Sequence, residues 1–96
     1  MRKYVVLYRF TEDGAKDIRG TVARARETRE QNEKRGFKVK VLLWTQGPYD
    51  LVAVVEAPSE EAMMGGMVNI LSAGNVTSTT MRAFDQQEME KILKQV

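Results

Sequence analysis

LLWTQGPYDLVAVVEA, residues 42–57, sets two apolar runs on either side of Gln46-Gly47-Pro48-Tyr49. Gly and Pro between β-prone runs are turn chemistry, so the stretch reads as a β-hairpin. Both arms are apolar on both faces: Leu42 and Trp44 alternate with Val41 and Leu43, and Leu51, Ala53 and Val55 alternate with Val52 and Val54. Strands of that kind are covered on two sides, and a chain of 96 residues has few helices to do the covering. The hairpin therefore argues for a fold and for a second chain. It names no reaction.

Upstream, residues 3–10 read as a strand that is again apolar on both faces, Tyr4, Val6, Tyr8 and Phe10 against Val5 and Leu7. Thr11 stands where an N-cap belongs, with Glu12 and Asp13 suited to the positive end of a helix. Residues 13–35 then read as one helix, with Ala15, Ile18, Val22 and Ala25 on a stripe. Its second half holds no apolar residue; Arg26/Glu30, Arg29/Glu33 and Glu30/Lys34 are spaced for surface ion pairs of ~0.2–0.5 kcal/mol each. Gly36 is placed to cap its end.

Downstream, Ser59 caps a helix whose stripe is Met63, Met67, Ile70 and Leu71. Gly65-Gly66 inside it predicts either an interruption or a backbone passing close by. Ala73-Gly74-Asn75 is a turn, residues 76–84 a Thr-rich fourth strand, and Asp85 caps a last helix with Met89, Ile92 and Leu93 facing inward. The order β-α-β-β-α-β-α predicts a ferredoxin-like α+β sandwich in one domain, residues 1–96, with four antiparallel strands and the helices on one face. Helices on one face leave the other face apolar and open, which predicts a homodimer or higher homo-oligomer.

Composition excludes more than it names. At 43% hydrophobic and 29% charged, the chain reads as a soluble globular domain, and no apolar run approaches the roughly 20 residues of a membrane span. The start MRKYVVLYRF lacks a cleavage site after its apolar stretch, so no signal peptide is expected. With no Cys, a reducing cytoplasm is permitted. With no His either, imidazole acid/base chemistry, Ser-His-Asp triads and His/Cys zinc sites lose their central residue, and no metal or cofactor is expected. Residues 1–40 carry 12 Lys/Arg against 6 Asp/Glu. A basic first helix could attract nucleic acid or another polyanion, but the interleaving of Arg and Glu favours a solvated helix.

The opening YVVL at residues 4–7, GFKVKV at 36–41, Trp44-Thr45, the signature Gly47-Pro48-Tyr49-Asp50 with its LVAVVEAP sequel, Gly74-Asn75-Val76-Thr77 and Met81-Arg82-Ala83-Phe84 together resemble the GYD-domain family of small proteins. The resemblance implies a dimeric α/β-barrel type of assembly. It implies no single activity, because proteins of similar architecture include cofactor-free monooxygenases, lactone isomerases and pure ligand binders.

The polar residues offer few chemical candidates. Asp50 is the best candidate for a general base and Tyr49 for a donor beside it, although Asp in a turn more commonly accepts backbone N–H groups. Trp44, Tyr4 and Tyr8 could line a cavity or pack an interface, and Arg82 could hold an anion or pair with Asp50 or Glu56. The reading is a small-molecule binder with its pocket between sheet and helices or between subunits, near Tyr8, Trp44, Tyr49, Asp50 and Arg82. The alternatives are a cofactor-free monooxygenase or isomerase and a nucleic-acid or polyanion binder.

Overall fold

The computed structural model describes residues 1–96. The chain runs β1 (Arg2–Phe10), α1 (Glu12–Lys16), a 3₁₀ turn (Ile18–Gly20), α2 (Thr21–Lys34), β2 (Lys38–Trp44), β3 (Leu51–Ala57), α3 (Glu60–Ser72), β4 (Val76–Ala83) and α4 (Gln86–Leu93). The sheet order is β2-β3-β1-β4, antiparallel throughout. This is the expected ferredoxin-like arrangement. No helix is long and apolar enough to cross a membrane.

Strand alternation sorts the sheet into two faces. Tyr4 and Val6 of β1 and Leu51, Ala53, Val55 and Ala57 of β3 are buried on the inner face, where Phe37 and the α3 residues Met63 and Met67 close over them. The outer face carries two apolar rows set by register. Leu43, Val52 and Leu7 form one, and Val41, Val54, Val5 and Met81 the other. Beyond them Lys38, Glu56 and Lys3 form a charged rim. No layer covers these rows, and Leu43 and Met81 remain 56% and 43% exposed. Only 11 of 96 residues are buried, because the outer face is open and the inner face is only partly filled.

A β-bulge between Val39 and Val41 makes Lys40 the extra residue of β2. Val39 therefore faces inward opposite Val55, while Leu42 and Trp44 take the inner face three and five residues later. Without it, Leu42 and Trp44 would turn outward.

The caps form as expected. Thr11 Oγ1 accepts from Gly14 N–H, Ser59 Oγ from Ala62 N–H, and Asp85 and Glu88 close a capping box. Gly36 takes φ +92° just after α2.

Five expectations are corrected. The helix expected over residues 13–35 is broken at Asp17, whose backbone leaves the helical region; Arg24 reaches back across the break, Nη1 donating to Asp17 O at 2.7 Å and Oδ2 at 2.9 Å. Its stripe does not pack either: α2 buries no residue, and Ile18 and Val22 are about half exposed. Of the three ion pairs expected there, only Arg29–Glu33 forms, at 3.1 Å.

The pair Gly65-Gly66 neither interrupts α3 nor admits another backbone, because the Phe37 ring lies 3.4 Å from where a Cβ on Gly66 would sit. Finally, α4 does not turn its apolar residues inward: Leu93 is 61% exposed and Met89 41%. Its start is held instead by Lys3, 3.0 Å from Glu88 and 3.4 Å from Asp85.

Candidate functional site

The incomplete packing of α2 leaves a cavity of about 380 Å³ between that helix, the C-terminal half of α3 and the inner face of the sheet. Its floor is apolar, with Leu42, Leu51, Ala53, Val55, Ile70 and Val76. Its α2 wall is polar and cationic, with Thr28, Asn32, Arg24, Arg29 and Arg35 against the single carboxylate Glu27. An apolar body with a few converging polar groups is the usual make-up of a small-molecule pocket, and 380 Å³ lies at the small end of the range.

Two polar contacts tie α2 to the sheet. Trp44 Nε1 donates to Thr21 Oγ1 at 3.1 Å at the start of the helix, and Arg29 Nη2 donates to Val39 O at 3.1 Å one turn before its end. The bulge in β2 and the break after α1 thus set how far the helix stands from the floor.

Of the five residues singled out in the sequence, the structure places Tyr8 in the wall of this cavity. Burial pushes its hydroxyl up to about 12 from 10.0, so it stays a neutral donor over the whole ordinary pH range. The sign follows from the raised value. Stability is intact below pH 10 and falls as pH rises toward 12, by roughly 2–3 kcal/mol at 1.36 kcal/mol per unit. Tyr8→Phe is expected to abolish that alkaline loss, read as urea midpoints measured between pH 9 and 11.5.

Trp44 does not line the cavity, but its Nε1 donates to Thr21, which does. Tyr49, Asp50 and Arg82 do not line the cavity. Gly47-Pro48-Tyr49-Asp50 forms the connection between β2 and β3, where Gly47 has φ +115°. Asp50 clasps β1 twice: its N–H donates to Tyr8 O at 2.8 Å, and its Oδ2 accepts from Phe10 N–H at 2.8 Å. Tyr49 lies under the Arg9 guanidinium, 4.9 Å from ring centre to Cζ. The acceptor role expected for Asp50 is therefore filled by an N–H of the neighbouring strand and not of its own turn.

Asp50→Ala is expected to cost about 1–3 kcal/mol by stranding the Phe10 N–H, and Asp50→Asn much less, since an amide oxygen still accepts. Denaturant unfolding of the two variants checks the order.

Arg82 pairs with neither Asp50 nor Glu56. It donates to the carbonyls of Lys3 and Ala83 and stacks over Phe84 at 4.5 Å and Tyr4 at 5.7 Å. Glu56 faces Lys40 at 3.8 Å instead.

The model of the GYD domain matches residues 4–93, nearly the whole chain. The chain belongs to the GYD domain family. A GYD-sized relative from Thermus thermophilus, named glutamine synthetase and cystathionine beta-lyase binding protein, is 32% identical over 96 residues, covering 98% of this chain and 100% of its own. Among solved structures, the crystal structure of MtbAldR matches 88% of this GYD chain with a TM-score of 0.67 at 17% identity, a likeness of fold alone. The chain spans about half, 54%, of that protein's length.

Sequence reasoning reached Tyr8 but missed the α2 wall. Arg24, Arg29 and Arg35 look like surface charge in a helix with no apolar second half, and only the stand-off of α2 turns them toward a cavity.

Proposed function

We propose that this GYD protein is a binding protein, self-associated through the outer face of its sheet, that holds a small organic molecule between α2, α3 and the inner face. The observation that carries the reading is the cavity of about 380 Å³ with an apolar floor and a polar wall. The placement of Asp50 supports a binder over the monooxygenase or isomerase reading: the best candidate base lies outside the cavity, and its Oδ2 is engaged by Phe10 N–H. Self-association is supported by the two apolar rows and their charged rim, the anatomy of a protein interface.

Native mass spectrometry on protein purified gently from its own cells tests this. The expected spectrum shows a multiple of the 10.9 kDa chain with a reproducible small added mass. A bare 10.9 kDa monomer whose mass no small-molecule mixture shifts would contradict it.

A second reading is favoured by one observation, the name of the full-length Thermus thermophilus relative. On that reading the protein docks onto metabolic enzymes. Calorimetric titration into purified glutamine synthetase and cystathionine beta-lyase from the same source decides it. Saturable heat with either enzyme supports docking, and none with both removes it.

A further inference from the structure

Arg24, in the cavity wall, carries one nitrogen that the protein leaves unpaired. Arg24 spends its Nη1 on Asp17, but its Nη2 is buried and has no hydrogen-bond partner. A buried guanidinium nitrogen without an acceptor is costly, and a bound acceptor would relieve that cost. The absence of a Cβ on Gly20 leaves room for the pair: one there would stand 2.9 Å from Arg24 Nη1 and 3.0 Å from Asp17 Oδ2.

The other cations of the wall differ from it. Arg29 is engaged by Glu33 and Val39 O, whereas Arg35 is exposed at the far end of the helix. Tyr8 adds a neutral hydroxyl, which makes no hydrogen bond within the protein but can donate one.

Resting on the reading of this cavity as a small-molecule site, we infer that it takes a small organic anion, a carboxylate or phosphate on an apolar body. The charged group meets Arg24 Nη2, and the body lies over Leu51, Ala53 and Val55. The guanidinium fork suits such oxyanions; Glu27 in the wall and Asp17, already held by Nη1, are the carboxylates that oppose them. Nη2 is closed to solvent in this structure, so the anion reaches it as the partly exposed Arg24 side chain turns.

The test uses a matched pair of dyes, 8-anilinonaphthalene-1-sulfonate and its uncharged parent N-phenyl-1-naphthylamine, titrated by fluorescence. The wild type is expected to bind the sulfonate on the order of ten-fold tighter or more. Arg24→Gln should erase that preference without weakening the neutral dye, and Tyr8→Phe should reduce it. Arg26→Gln, which alters an exposed cation outside the cavity, should leave it unchanged. Ala73→Trp, at the exposed rim, should block both dyes.

Equal affinity for the two dyes, with both blocked by Ala73→Trp, would overturn the anion assignment and leave the cavity reading standing. An equal loss in Arg26→Gln and Arg24→Gln would overturn it as well. Dye binding that Ala73→Trp does not touch would remove the cavity reading itself and the assignment with it. If Arg24→Gln melts early because its tie to Asp17 is gone, the wild-type dye ratio and Tyr8→Phe decide.

Discussion

If the chain self-associates through its outer face as proposed, Leu7→Lys combined with Val54→Lys is expected to leave a folded monomer, weakening that association on the order of a thousand-fold or more. Leu7 and Val54 lie in different rows of the outer face, on adjacent strands at the middle of the sheet. Their side chains point away from the core, so the single chain can keep its fold with lysine there. In a face-to-face pair each ammonium would be buried against apolar rows, with the rim carboxylate of Glu56 already facing Lys40. An unpaired buried charge costs several kcal/mol, and every 1.4 kcal/mol is ten-fold in affinity. Sedimentation velocity reads the result: a wild type above 10.9 kDa and a variant at 10.9 kDa with an unchanged melt. A wild type that already sediments as a monomer would end the argument for self-association.

Gly14→Ala is the second large effect, about 3 kcal/mol of destabilisation. A Cβ at residue 14 would lie 2.0 Å from Asn75 O and 2.9 Å from the same carbonyl's carbon. Backbone cannot yield as a side-chain tip can, so α1 must lift away from the turn before β4. Lifting strains two bonds that sew the helix start to that turn: Thr11 N–H to Asn75 O at 3.0 Å and Thr11 Oγ1 to Gly74 O at 2.6 Å. At the usual 4–8 °C per kcal/mol for a domain of this size, the melting temperature should fall by more than ~10 °C. A fall of under 2 °C would mean that the close approach is not a constraint on folding.

These two positions mark what a sequence shows and what it hides. The outer face was legible because Val5, Leu7, Val52 and Val54 break the apolar–polar alternation that a solvated face would need. The hairpin, the caps at Thr11, Ser59 and Asp85 and the sheet order followed from local chemistry and right-handed crossovers. Gly14 was not legible. It is helical with no positive φ, and its need to be glycine comes from a carbonyl 61 residues away.

The break at Asp17 was hidden for a related reason, since the apolar spacing runs straight through it and Arg24 stabilises it by a contact no periodicity encodes. The bulge at Lys40 flips the facing of β2 without a Gly or Pro to announce it. The cavity inherits all three effects. Tyr8 sits on a strand, where alternation fixes direction, and was found; the Arg24 corner depends on how far α2 stands from the sheet, and was not.

Hydrogen–deuterium exchange on gently purified protein, compared with the same protein unfolded, stripped by dialysis and refolded, tests the central claim of a ligand-holding cavity most directly. Slower exchange in the gently purified sample is expected across residues 21–34 and 69–76, the segments that wall the cavity, with the outer strand face the same in both. Identical exchange in those segments and in the floor strands β2 and β3 would contradict it.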